Sequence, residues 1–228
     1  MAVNASLFTK LPYDPINDFA PVAMMSKFSF VLVVSNSFPA HSVQELIALV
    51  KAKPGEIDYA SAGNGTGQHL SMELFKLMTG TNITHVPYRG AAPAYADVIS
   101  GQVPIFIDNL ASALGQIKAG TVRALAVTGT ERSALLPDVP TMAEAGVPGY
   151  SNYVWFGLWA PKKTPAPIIT KLHAEVEKAV ASPAVTDRLT AAAGVPFNLP
   201  IADINPFVQG EIVKWADVVK RGGVKVGE

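Results

Sequence analysis

The chain has no cysteine, no excess of charge of either sign and no long apolar run. The absence of thiols excludes disulfides, thiolate metal sites and a cysteine nucleophile, and it fits an oxidising compartment without requiring one. Eighteen basic residues balance eighteen acidic ones without a cluster of one sign, so the charge pattern predicts no nucleic-acid or anionic-membrane partner. No apolar stretch approaches the roughly 18 residues that cross a membrane as a helix.

The N-terminal residues MAVNASLFTKLPYDPINDF lack the basic start and the apolar core of a signal peptide. If the protein is exported, we expect its export signal to lie outside this sequence. Apolar residues, in contrast, are abundant: they make up 49% of the 228 residues. That content is enough to fill one large core or two smaller ones.

Short apolar runs alternate with helical patterns through the first half of the chain. The predicted strands are FVLVVSN, IDYAS, NITHVPY, VPIFIDN and VRALAVTG, and stretches with helical spacing separate them, several of which end at a glycine. Helices between short strands are typical of crossover connections, so the pattern predicts an α/β fold with a parallel sheet. The second half has one aromatic strand, YVWFGLWAPK, and three helical stretches, which indicates a second lobe.

The stretch YASAGNGTGQHLSMELFK joins a strand to a helix through a loop rich in glycine. Such a loop can direct several backbone N–H groups into one concavity, and the N-terminus of the following helix adds further donors with partial positive charge. The loop therefore suits an anion, although a tight turn capped by Thr66 is an equally simple interpretation. It matches neither a P-loop nor a dinucleotide-binding fingerprint. The candidate loop residues are Ser61, Ala62, Gly63, Asn64, Gly65 and Thr66.

Two other strand ends carry polar side chains. Tyr88 and Arg89 follow one predicted strand, and Asp108 ends another. A guanidinium beside a phenol suits a carboxylate ligand, and parallel strands would bring these residues to one edge. Solvation of Arg89 and helix capping by Asp108 are the alternative interpretations. His69, in the first turn of the helix after the loop, is a further candidate, with simple packing as its alternative.

These residues lie in strings that closely resemble the receptors of tripartite tricarboxylate transporters, the Bug proteins. The resemblance runs from about Leu7 to the C-terminus and is carried by YASAGNGTGQHLSMELFK, HVPYRGAAPAYADVISGQV, FIDNLASALGQIKAGTVRALAVTG, RSALLPDVPTMAEAGVPGY and YVWFGLWAPKKTPAPIITKL. It implies a two-lobed, type II-like Venus flytrap fold of the periplasmic binding proteins. It also implies a periplasmic location and delivery of the ligand to membrane transporter subunits.

The ligand implied by the resemblance is a small organic acid: a di- or tricarboxylate, an acidic amino acid or an aromatic acid. The resemblance places the loop Ser61 to Thr66, with Tyr88, Arg89 and Asp108, in the cleft, and His69 beside them. No cofactor and no metal are expected.

One departure from the family pattern is that the signal peptide, the first strand and a loop of the type PGG-G-T-D are not in this sequence. We therefore expect an N-terminally truncated chain, with residues 30–153 as the ligand-binding lobe and residues 1–29 with 154–228 as an incomplete, mostly helical first lobe. Apolar helix positions there, Leu172, Val176, Ala179 and Val180, are expected to be exposed and to favour a homodimer. A fragment that no longer binds ligand is the alternative function.

An enzyme is the competing class. Ser61, His69 and Asp108 are the residue types of a hydrolytic triad. No G-x-S-x-G elbow is present, and the four histidines show no metal-ligand spacing. The sequence therefore predicts a binding protein and not an enzyme.

Overall fold

Residues 2–8 and 10–225 are described by a computed structural model. The chain forms two compact units: a first unit of the residues up to Phe28 with Val154–Lys220, and a second unit of Ser29–Tyr153 with the residues from Arg221. In chain order the elements are α1 (Asn4–Leu7), β1 (Phe19–Ser35), α2 (Val43–Ala52), β2 (Asp58–Ser61), α3 (Gly67–Thr79), β3 (Thr84–Pro87), α4 (Ala91–Ser100), β4 (Ile105–Asn109), α5 (Leu110–Lys118), β5 (Val122–Val127), β6 (Tyr153–Pro161), α6 (Ala166–Val180), α7 (Pro183–Ala191), β7 (Gly194–Pro196) and α8 (Ile201–Gly222).

The units divide the chain after Phe28 and after Tyr153, and the end of α8 belongs to the second unit. Residues 1, 9 and 226–228, which the predicted lobes include, lie outside the described residues. Within the described part of the chain, no helix has both the length and the apolar character needed to cross a membrane.

The sheet of the second unit has the strand order β3-β2-β4-β1-β5. Strand β2 pairs in parallel with β3 and β4, whereas β1 is antiparallel to both β4 and β5. The prediction of a parallel sheet is therefore wrong for β1. The physical reason is that β1 arrives from the first unit as one long strand, so no crossover helix sets its direction.

The helices of the second unit begin and end where the sequence provides caps. The Ser42 side chain accepts the Glu45 N–H group at the start of α2, and Thr66 caps α3 in the same way. Gly80 ends α3 in the left-handed conformation, which glycine adopts without a steric cost. The core between sheet and helices consists of fully buried apolar side chains, among them Val33, Leu46, Phe75 and Phe106.

In the first unit, β1 pairs with β6 and with β7. Strand β1 begins at Phe19, eleven residues before the predicted strand FVLVVSN. Pro21 and the methionines that follow it weaken the strand pattern there. Two apolar clusters fill this unit: one is built on Val22, Ala23 and Ile169, the other on Met24, Ile204 and Val208.

The apolar face of α6 is only partly exposed. Leu172 and Ala179 are exposed as predicted. The prediction is wrong for Val180, which is 6% exposed, and for Val176, which packs against the cluster of Val22 and Ile169. The part of β1 in this unit supplies the packing surface that the sequence did not reveal.

Candidate functional site

The carboxyl ends of three parallel strands lie at one edge of the second unit's sheet. Ser61 at the end of β2 pairs with Pro87 at the end of β3, and Ala60 pairs with Phe106 of β4. The predicted loop, the Tyr88–Arg89 pair and Asp108 all follow or end these strands. This is the edge at which open α/β sheets bind ligands.

The loop from Ala62 to Gln68, here called the amide loop, is shaped by two glycines and a threonine. Gly63 has a φ angle of 134° and Gly65 one of 72°, values that side chains disfavour. The Thr66 hydroxyl donates a 2.7 Å hydrogen bond to the Gly63 carbonyl and accepts the His69 N–H group at 3.4 Å. The loop therefore runs directly into the first turn of α3.

The amide loop has both bonded and free N–H groups, and the Thr66 N–H group donates to the Gly63 carbonyl at 3.3 Å. Gly63 N–H donates to the Ser61 hydroxyl, and Gly65 N–H donates to Nδ1 of His69, both at 3.1 Å. Within the described residues, four other N–H groups have no acceptor, and they belong to Ala62, Asn64, Gly67 and Gln68. Free backbone donors at a helix N-terminus form a ready site for an anion.

Two stacked histidines lie behind the amide loop. The rings of His69 and of His85, on β3, have centroids 3.8 Å apart and an angle of 21° between their planes. His85 Nε2 is 2.6 Å from the Ser61 hydroxyl, which also donates to the Gly63 carbonyl. If His85 carries its proton on Nε2, the Ser61 oxygen accepts two hydrogen bonds and donates one, so a single hydroxyl satisfies the whole network.

A buried carboxylate lies beneath the histidines. Glu73 is 3% exposed, and its Oε1 atom accepts hydrogen bonds from the Tyr59 hydroxyl and the Lys76 ammonium, both at 2.7 Å. Nε2 of His69 lies 3.8 Å from the same oxygen. Because His69 Nδ1 accepts from Gly65, the neutral ring carries its proton on Nε2, on the side of Glu73.

Burial controls the protonation of this cluster. Burial, followed by the positive charge of Lys76, lowers the pKa of His69 from 6.5 to about 4. Burial also lowers the pKa of His85 to about 4, with the neighbouring His69 as the second cause. Burial, followed by the negative charge of Glu73, raises the pKa of the Tyr59 phenol. Both imidazoles are therefore neutral at pH 7.

Tyr88 and Arg89 behave differently from each other. The Tyr88 hydroxyl donates a 2.5 Å hydrogen bond to Asp97 of α4, and desolvation together with this bond raises its pKa to about 12. Arg89 is exposed and has no hydrogen bond or ion pair with any residue that the structure describes. Its guanidinium is thus available to a ligand, whereas the Tyr88 hydroxyl is already bonded.

Asp108 lies inside the unit. Its side chain is fully buried, and Oδ1 accepts a 3.2 Å hydrogen bond from the Gln68 side chain at the start of α3. Burial raises the pKa of the neighbouring Tyr95 phenol, and the charge of Asp108 adds to this effect. Asp108 is thus positioned to orient Gln68 and not to reach solvent.

The sequence analysis missed His85, Glu73, Tyr59 and Lys76. The i, i+4 spacing of His69 and Glu73 within one helix is a signal that could have linked those two residues. Tyr59 lies beside His85 because of the parallel register of β2 and β3. A local sequence pattern does not predict that register. The hydrolytic triad is not assembled, because Ser61 bonds to His85 and Asp108 bonds to Gln68.

The comparisons with known proteins agree with the geometry of a binding protein. Residues 1–224 match the family described as the tripartite tricarboxylate transporter family receptor. Protein BugT of Bordetella pertussis is 38% identical over 226 residues, which are 99% of this chain and 69% of BugT. The chain thus spans about two thirds of the length of this relative.

Solved structures give the same result. Rpa4515 of R. palustris, solved with adipate, is 39% identical with a TM-score of 0.80. The match covers 97% of this chain and 74% of the Rpa4515 chain. MatC from Rhodopseudomonas palustris, solved with bound malate, is 34% identical with a TM-score of 0.75, covering 95% of this chain and 75% of its own. The periplasmic binding protein BugD is 30% identical with a TM-score of 0.78, covering 98% of this chain and 76% of its own. These neighbours confirm the α/β fold of the periplasmic binding proteins, and they are receptors and not enzymes.

The chain belongs to the receptor family of the tripartite tricarboxylate transporters.

Proposed function

We propose that the chain captures a small organic acid and that the amide loop holds one of its carboxylates. The observation that carries this proposal is the set of four free N–H groups in the loop and the first turn of α3. A carboxylate accepts several such hydrogen bonds, and the positive end of the helix dipole favours its charge. The loop needs no side-chain cation for this contact.

Arg89 is the second element of the proposed site. It follows β3 at the same sheet edge as the amide loop and is the exposed cation there. We assign it to a bidentate contact with a carboxylate of the ligand, because its fork geometry matches two carboxylate oxygens. Tyr88 and Asp108 act indirectly in this account, through Asp97 and Gln68 respectively.

Dicarboxylates are the favoured ligand class. Adipate and malate, which accompany two of the similar structures, each carry two carboxylates. Tricarboxylates, acidic amino acids and aromatic acids remain candidates, since backbone donors recognise the carboxylate and not the rest of the molecule. Delivery to membrane transporter subunits and a periplasmic location are proposed from the family description.

Isothermal calorimetry tests this proposal. The chain is titrated with adipate, malate, succinate and citrate, and with adipamide as the neutral analogue of adipate. We expect at least one acid to bind and adipamide not to bind. Arg89→Gln should weaken acid binding by about tenfold, the effect of losing roughly 1.4 kcal/mol. Arg132→Gln is the matched control, because Arg132 is also exposed but pairs with Glu144.

No binding of any acid, together with a cooperative thermal unfolding transition, would overturn the proposal. That result would favour the alternative of a folded fragment that does not bind ligand.

We also propose that the first unit forms a homodimer through β6. Among the described residues, β6 pairs with β1 alone, and its sequence YVWFGLWAP contains no charge that would protect the edge. Phe156 and Leu158 are 49% and 37% exposed. Antiparallel pairing of two β6 strands about Gly157 would place Phe156 opposite Leu158 of the partner subunit, and the reverse, as a two-fold interface requires.

A further inference from the structure

The contacts behind the amide loop decide which of its donors can face a ligand. Gly63 and Gly65 alternate with Ala62 and Asn64 along the loop, and of these four N–H groups only those of the two glycines are bonded. Their acceptors are Ser61 and His69, and Ser61 is in turn bonded to His85. The histidine pair is therefore the common anchor for both bonded positions.

We propose that His69 and His85 are positioning residues that tie back the N–H groups of Gly65 and, through Ser61, of Gly63, so that those of Ala62 and Asn64 stay available for a carboxylate. This inference rests on the proposed function for its ligand. The tethering itself does not, because it is a property of the chain without ligand.

The stacking of the two rings supports this role. His69 comes from α3 and His85 from β3, and the 3.8 Å centroid separation packs one ring on the other. Tyr59 of β2 also contacts His85, with a centroid distance of 4.9 Å and an angle of 23° between the ring planes. A helix, a strand and its neighbouring strand thus fix both imidazoles, so neither ring can turn without disturbing the other.

The charged and titratable groups around His69 keep it in its accepting form. Glu73 and Lys76 face it from α3, Tyr59 from β2 and His85 from β3. Protonation of Nδ1 would remove the acceptor of the Gly65 N–H group, since an imidazolium has only donors. Because the pKa of His69 is low, Nδ1 carries no proton above about pH 5 and can accept the Gly65 N–H group. His85, in contrast, can donate to Ser61 both as the neutral ring with its proton on Nε2 and as the imidazolium.

Two substitutions keep one hydrogen-bonding atom of the imidazole and remove the rest of the ring. In His69→Asn, the side-chain oxygen occupies the position of Nδ1 and can accept from Gly65 without titrating. In His85→Gln, the side-chain amide nitrogen occupies the position of Nε2 and can donate to Ser61. His69→Ala and His85→Ala remove each contact, and His41→Asn is the control at an exposed histidine.

Nuclear magnetic resonance of the full chain without ligand is the first part of the test. In the wild type at pH 7, we expect a through-hydrogen-bond coupling between the Gly65 amide nitrogen and His69 Nδ1, and slow exchange of the Gly65 amide proton. The coupling and the protection should disappear as the pH falls through about 4. His69→Asn should keep the protection at both pH values, and His69→Ala should lose it at pH 7. His69→Ala with an unchanged Gly65 exchange rate would overturn the inference.

Adipate titration of the same variants is the second part. We expect His69→Ala and His85→Ala each to bind adipate roughly tenfold more weakly, and His69→Asn, His85→Gln and His41→Asn to stay within about threefold of the wild type. Loss of Gly65 protection without a change in affinity would also overturn the inference. If the wild type bound no adipate, the proposed function would fail for this ligand, and the coupling to Gly65 would still decide whether His69 tethers the loop.

Discussion

The ring of Phe30 lies against Gly67, so that a β-carbon on residue 67 would stand 2.7 Å from the Cζ atom of the ring. Gly67 is the first residue of α3, and Phe30 lies in β1 opposite Asn109 of β4. The φ angle of Gly67 is not in the left-handed region, so lack of space and not backbone conformation requires glycine here. This contact fixes the start of α3, and therefore the end of the amide loop, against the sheet.

We predict that Gly67→Ala lowers the free energy of unfolding by about 1–3 kcal/mol, because the added methyl group overpacks against a fully buried ring. Urea denaturation measures this change. Gly115→Ala is the matched control in α5, since no atom lies within 4 Å of its added β-carbon. There the free energy of unfolding should rise by roughly 0.5–1 kcal/mol. A Gly67→Ala variant as stable as the wild type would show that Phe30 moves aside freely.

Thr66 should contribute through its hydroxyl group and not through its methyl group. Thr66→Val removes the cap on the His69 N–H group and the 2.7 Å bond to the Gly63 carbonyl, and should cost about 0.5–2 kcal/mol of stability. Thr66→Ser retains the hydroxyl and should cost much less. Chemical denaturation of the two variants side by side checks this, and equal losses would argue that packing of the methyl group dominates.

Stability should fall in acid because of the buried histidines. Their pKa values are lowered from 6.5 to about 4 in the folded chain, so the unfolded chain binds protons first as the pH falls. The histidines leave the free energy of unfolding unchanged above about pH 6.5, and they lower it as the pH falls from there to about 4. For His69 the slope is at most about 1.4 kcal/mol per pH unit.

His69→Asn removes one of these titrations, so its stability should depend less steeply on pH over this interval. Denaturation series at pH 7, 6, 5 and 4 measure the difference, and parallel curves for His69→Asn and the wild type would refute the assignment of the slope to His69.

The homodimer proposal predicts a mass of twice 24.0 kDa in light scattering at micromolar concentration. Leu158→Lys should give a monomer, because two lysines would then lie opposite Phe156 across the strand pair. Val213→Lys is the control, since Val213 is 66% exposed on α8 of the same unit. A wild-type monomer, or a dimer that Leu158→Lys leaves intact, would contradict the proposed interface.

Local patterns were enough to locate most elements of the second unit. The strands ending at Ser61, Pro87 and Asn109 were predicted close to their observed positions, and their common edge follows from their parallel pairing. The direction of β1 could not be predicted in this way, because an uninterrupted strand shared by two units has no connecting helix to define it. Its first residues were missed because Pro21 interrupts an otherwise suitable pattern.

The candidate site was only partly readable for a similar reason. The glycines of the loop and the cap at Thr66 are local signals. The stacking of His69 on His85 joins residues 16 positions apart through the register of β2 and β3, and the burial of Asp108 depends on how α3 covers the sheet. Contacts of this kind depend on tertiary packing. Local sequence motifs therefore predict the residue types of the site but not which residues contact each other.

Chemical-shift mapping of the ¹⁵N-labelled chain with adipate tests the central claim most directly. We predict that the amide signals of Ala62, Asn64, Gly67 and Gln68 shift in a saturable manner, while the Gly65 amide keeps its coupling to His69. Adipamide at the same concentration should leave these signals in place. Saturable shifts confined to other residues, or no shifts with adipate, malate, succinate or citrate, would contradict the assignment of the amide loop as the carboxylate site.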